Sequence, residues 1–75
     1  MKEGDLVTLS AKGNQLDWVR KTTYFRGEKP LYGVIVMKRT LPKKSSYKVH
    51  WFYRDGFDSC ADYILFYRDL LKQLK

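Results

Sequence analysis

The sequence predicts a mostly β domain, a small basic barrel, and three observations lead there. Tyr47-Lys48-Val49-His50-Trp51-Phe52-Tyr53 alternates large apolar residues with polar ones. That period of two belongs to a strand with Tyr47, Val49 and Trp51 in a core and Lys48 and His50 outside it. Leu31 to Arg39 is almost continuously apolar, the pattern of a central strand covered on both sides. The 75 residues carry a net charge of +7, with 44% apolar and 16% aromatic residues. That is enough apolar surface for a compact core and enough charge to attract polyanions.

Each element follows from local chemistry. A chain of this length is one domain, near the lower end of what folds without staples. Gly4-Asp5 opens a turn, and Leu6 to Leu9 favour a strand with Val7 and Leu9 facing inward. Ala11 to Pro30 is a long, mostly polar first connection that holds Leu16, Trp18, Val19, Tyr24 and Phe25. It reads either as a hairpin-like excursion folded back on the barrel or as a segment with a short helical turn near Gln15 to Arg20. The β-preferring run Thr22-Thr23-Tyr24-Phe25 favours the excursion, closed by Gly27-Glu28-Lys29-Pro30. Within Leu31–Arg39, Gly33 suggests a bulge or a sharp bend. Thr40 to Ser46 is a polar link with Lys43-Lys44 at its tip, which makes an antiparallel hairpin with Tyr47–Tyr53. Asp55-Gly56 then supplies a turn.

Phe57 to Lys75 reads in two ways. One is a strand over about Cys60 to Phe66, a tight helical turn at Tyr67-Arg68-Asp69-Leu70 and a closing strand at Leu71 to Leu74. The other is one amphipathic C-terminal helix, with Ser59 and Asp62 as a weak capping box and Ala61, Ile64, Leu65, Leu71 and Leu74 near helical spacing.

Gly4-Asp5-Leu6-Val7, Gly33-Val34-Ile35-Val36, Tyr47-Lys48-Val49-His50-Trp51 and Tyr67-Arg68-Asp69-Leu70-Leu71, at these spacings, resemble the small SH3-like barrel proteins of tailed phages, including cyanophages. The likeness to KOW, Tudor and chromo-like modules is looser. The resemblance implies a five-stranded, partly open SH3-like barrel whose last two strands are joined by a single helical turn. It therefore favours the strand–turn–strand reading, and it implies a phage-encoded binding module, acting in the host cytoplasm or in the virion. The first connection is longer than in that family, and Asp58 to Phe66 is longer and more apolar.

Composition argues against catalysis and cofactors. There is one His and one Cys, with no phosphate loop and no nucleophile motif. Cys60 cannot form an intrachain disulfide, so a reducing cytoplasm is expected, and a small buried hydrophobe is its simplest role. Asp55, Asp58 and Asp62 lack the ligand ladder of a calcium loop, and His50 with Cys60 cannot fill a zinc shell. No apolar run approaches the roughly 18 residues of a membrane span, and no signal-peptide core follows Met1.

What remains is binding. Cations recur beside rings: Trp18 with Arg20-Lys21, Tyr24-Phe25-Arg26, Lys48 with His50, Phe52-Tyr53-Arg54. Phosphates pair with such cations and unpaired bases stack on exposed rings. Lys38, Arg39, Lys43, Lys44, Lys48, His50 and Arg54 are the expected nucleic-acid contacts, with Lys38, Lys48 and His50 on one outward face as a basic ridge. The bland alternative is that the rings are core and the lysines keep a β edge from self-pairing; Trp18, Phe25 and Phe52 are the rings to watch for exposure. The rival is a protein-interaction module, with an acidic protein surface or an extended peptide meeting Trp18, Tyr24, Phe25 and Tyr53. Neither reading involves a membrane or a small-molecule substrate.

Overall fold

The computed structural model describes residues 1–40, 42, 44–59 and 65–74. Cys60, the Ser59–Asp62 capping box and Lys43 lie wholly or partly outside them. The elements are β1 (Leu6–Leu9), α1 (Ala11–Gln15), α2 (Asp17–Thr23), β2 (Tyr32–Thr40), β3 (Ser45–Phe52), β4 (Asp58–Ser59), β5 (Phe66–Tyr67), a 3₁₀ turn (Arg68–Leu70) and β6 (Leu71–Gln73). The strands form one sheet in the order β4-β3-β2-β1-β6, with β5 also on β3, and every pairing is antiparallel. The chain is thus mostly β, as expected, and the described residues form six strands where five were expected.

Inward-facing residues from several strands and α2 build the core. Val7, Val19, Ile35, Tyr47, Val49, Trp51, Phe66 and Leu71 are each at most 4% exposed. Rings interlock there: Trp51 and Phe66 meet edge to face, 5.7 Å between centroids, a favoured aromatic geometry. Gly33 lies opposite Trp51. A Cβ on Gly33 would fall 2.4 Å from Val49 Cγ1 and 2.7 Å from Trp51 Cε3, so the absent side chain is what admits Trp51. The expected bulge is elsewhere. Ile35 pairs with Val49 and Met37 with Lys48, which leaves Val36 as the extra residue. Nor is β2 covered on both sides, since Val36 and Met37 are more than 40% exposed.

The first connection departs from the excursion reading. It holds two helices, and the reason is local hydrogen bonding. Ser10 caps α1 by accepting from the Gly13 N–H at 3.1 Å, which offsets an otherwise orphaned donor. In α2, Val19 and Thr23 are buried one turn apart. The Thr23 hydroxyl donates to the Val19 carbonyl at 2.7 Å, and the Thr22 hydroxyl reaches the Trp18 and Val19 carbonyls. Such back-bonding satisfies the hydroxyls inside the helix, and burial of Val19 and Thr23 against the core is what holds the Thr pair helical. After α2, Phe25 and Glu28 close a two-residue turn with Arg26 at φ 53° and Gly27 at φ 80°.

The end of the chain takes the strand–turn–strand course in its described part. The Ser10 N–H donates to the Leu70 carbonyl at 2.9 Å, and the Ser10 hydroxyl donates to the Asp69 carbonyl at 2.7 Å. These bonds hold the 3₁₀ turn against α1, and β6 then pairs with β1 from Leu9↔Leu71 to Val7↔Gln73. Asp55-Gly56 forms its expected turn: Gly56 has φ 87° and Asp55 Oδ1 accepts from the Phe57 N–H.

Candidate functional site

Residues directly opposite each other in an antiparallel pair point to the same face. On β3, Tyr47, Val49 and Trp51 face the core, so Ser46, Lys48, His50 and Phe52 lie on the other face, where Ser46 is buried and the other three are partly exposed. Their partners on β2 are Arg39, Met37, Val34 and Tyr32. On the flanking strands, Leu6 lies beside Val34, Asp58 beside Phe52 and Tyr67 beside Ser46.

The Val36 bulge corrects the expected ridge. It shifts the parity of β2 by one, so Lys38 pairs with Tyr47 and leaves the face that carries Lys48 and His50. Arg39 takes its place there. Lys48 and His50 lie outward as expected, both half-buried, and Arg39 is exposed. Lys44 is exposed at the hairpin end, with its ammonium 4.8 Å from the Tyr67 ring centroid, a cation–π distance. Lys43 lies outside the described residues. Arg54 is exposed near the far turn, beside Glu28 and Lys29 rather than on the outer face.

Sequence reading missed a stacked array of rings on this face. The Tyr32 and Phe52 rings lie 5.1 Å apart at 21°, and Phe52 and His50 4.8 Å apart at 18°. Asp58 Oδ2 lies 2.7 Å from His50 Nε2. A carboxylate accepts only, so Nε2 donates and the ring orientation is pinned. The signal was present in part: the alternation runs on from His50 to Phe52, but Tyr32 joins only once the register is known. At the opposite end, Tyr67 is 43% exposed and borders a groove of about 550 Å³ with Lys44, Ser45, Tyr47, Arg68 and Asp69.

Of the residues expected for protein contact, Phe25 and Tyr53 border one cavity of about 270 Å³ with their rings 5.9 Å apart. Tyr53 is a correction: it is 7% exposed and its hydroxyl donates to the Thr23 carbonyl, so it serves the core. Burial pushes its phenol above the ordinary tyrosine value. Phe25 is half-buried, stacked on Phe57 at 4.0 Å with the Arg26 guanidinium 5.2 Å away. Tyr24 is half-buried and donates to Asn14 Oδ1 at 3.0 Å. Trp18 alone is well exposed, at 45%, and stacks on Phe66.

Among the described residues no cluster of His, Cys, Asp and Glu could hold a metal ion, and no helix is long and apolar enough to cross a membrane. Comparison with known proteins gave no match: no family model, no curated protein and no solved structure matches the chain.

Proposed function

We propose that this chain is a small non-enzymatic binding module that holds nucleic acid against the outer face of β2 and β3. The observation that carries the reading is the stacked Tyr32–Phe52–His50 array on a face that also bears Arg39 and Lys48. Stacked rings offer a surface that unpaired bases extend, and the cations meet the phosphates. Lys44 adds charge at the hairpin end, while Lys38 and Arg54 contribute only to the long-range field. The net charge of +7 speeds encounter with a polyanion.

The fold reading that goes with this is an SH3-like barrel of the phage type, in a protein that works in the host cytoplasm. The support is connectivity. One 3₁₀ turn joins β5 and β6, yet β5 pairs with β3 and β6 with β1, so the last two strands span the two sides of β3-β2-β1.

The rival protein-interaction reading rests on Leu6, Val34 and Met37, which share the same face, and on exposed Trp18. A fluorescence-anisotropy titration with labelled single- and double-stranded DNA and RNA, at low salt and at about 0.15 M, separates the two. Nucleic-acid binding predicts micromolar or tighter affinity with a log–log salt slope near the number of neutralised phosphates. The proposal fails if binding vanishes at the higher salt. A partner captured with weak salt dependence and lost on Trp18→Ala would establish the rival.

A further inference from the structure

Resting on that reading, we infer that the ligand is a single strand of about four to six nucleotides, laid along β3 with bases stacked at both ends of the strand. The outer face is not one spot but a track. From Phe52 to Ser46 it runs six residues, about 20 Å at a strand rise of about 3.3 Å per residue. One end is the ring column, whose terminal member Tyr32 is 36% exposed. The middle is Lys48 opposite Met37. The other end is the row Tyr67, Ser46, Arg39 across β5, β3 and β2.

That far row has the parts of a second nucleotide subsite. Tyr67 offers a ring, and Lys44 above it and Arg39 beside Ser46 offer two phosphate-pairing charges. Ser46 itself is buried at 2% exposure, so the exposed parts of this subsite are the Tyr67 ring and the Lys44 and Arg39 cations. A duplex hides its base faces and leaves both ring sites idle, whereas a single strand uses both. The span sets the length: at the stacked rise of about 3.4 Å per nucleotide it holds about six, and about four is the low end of sites in open stacking grooves.

The test is a length series of labelled oligothymidylates, from two to about ten nucleotides, with duplexes of matching length. Affinity should rise with length and level off at four to six, with duplexes at least about tenfold weaker. Tyr67→Ala should lower the plateau about tenfold and bring it to shorter strands. Tyr67→Trp should restore both, and circular dichroism should show both variants folded. Arg39→Gln should weaken all lengths long enough to reach it and lower the salt slope by about one. A plateau already reached at two nucleotides, or a length profile unchanged by Tyr67→Ala, overturns the track and leaves the nucleic-acid reading standing. No binding of any oligonucleotide removes both.

Discussion

Tyr47, Val49 and Trp51 on β3 are each at most 4% exposed, whereas Lys48, His50 and Phe52, interleaved with them, keep access to solvent. The two sets obey different constraints. The inner set is governed by volume: Trp51 fits only because Gly33 opposite it has no side chain. The outer set is governed by orientation: Phe52 lies parallel to Tyr32 and His50, and Asp58 fixes the His50 ring. One strand thus carries the core on Tyr47, Val49 and Trp51 and, in the function proposed above, the ligand face on Lys48, His50 and Phe52.

The sharpest way to break that division is a pair of alanines on adjacent residues. Trp51→Ala should cost about 3–5 kcal/mol, the usual loss for a buried large aromatic. Phe52→Ala should cost less, about 1–2 kcal/mol, since Phe52 is only partly buried. Urea midpoints at constant slope measure both. Equal losses would mean that Phe52 is a core residue and the outer face no platform. Gly33→Ala should cost about 3 kcal/mol, because β2 or β3 must shift to relieve a 2.4 Å contact.

On binding the order reverses. Phe52→Ala should weaken oligonucleotide affinity at least about fivefold through the lost stack, while a folded inner-face variant such as Val49→Ala should leave it nearly unchanged. Titrations of both proteins under identical salt decide this. If Val49→Ala weakens binding as much, the face depends on core geometry rather than on its own side chains.

Much of the inner set was legible in the sequence, because period-two alternation places Val7, Leu9, Tyr47, Val49 and Trp51 without any tertiary knowledge. The outer set was legible only in part. Lys48 and His50 follow from the same alternation, but Lys38 does not, because the Val36 bulge turns it to the other face. Nothing in Val34-Ile35-Val36-Met37 marks Val36 as the bulge, since any of these residues fills that position equally well. Tyr32 was invisible as a partner of Phe52 because the pairing depends on that register. In the first connection the alternative of a helical turn near Gln15 to Arg20 overlaps α2, but the β preference of Thr22 and Thr23 obscured its last turn and nothing in the pattern marked α1.

Tyr53 sharpens the inner side further. Tyr53→Phe should cost about 1 kcal/mol for the bond lost to the Thr23 carbonyl. The phenol also sets an alkaline limit. Its folded pKa is raised by burial, so the fold prefers the protonated form. That preference is fully present below the ordinary value of about 10 and is lost as pH rises through the folded one. Thermal melts should therefore show stability falling above about pH 10, with a shallower fall in Tyr53→Phe. An identical fall in both proteins would assign the alkaline limit to other groups.

The smallest effect belongs to the turn that serves both faces, because it follows Tyr67 on the outer side and carries Leu70 into the core. Lys12 Nζ lies 2.5 Å from Asp69 Oδ2, with both side chains more than half exposed. The hydrogen bond from Lys12 is the main reason the Asp69 carboxyl is held below the usual carboxylate range. A depressed folded pKa stabilises above the unfolded value and is lost as pH falls through the folded one. Melts between about pH 6 and pH 2 should thus show a shallow loss below about pH 4. High salt should flatten it by screening an exposed pair, and Lys12→Met should remove it. The Ser10 bonds to the Asp69 and Leu70 carbonyls do not titrate and should hold the turn in either case. A large acid loss that survives Lys12→Met would mean that the Lys12–Asp69 pair does not carry the acid limb.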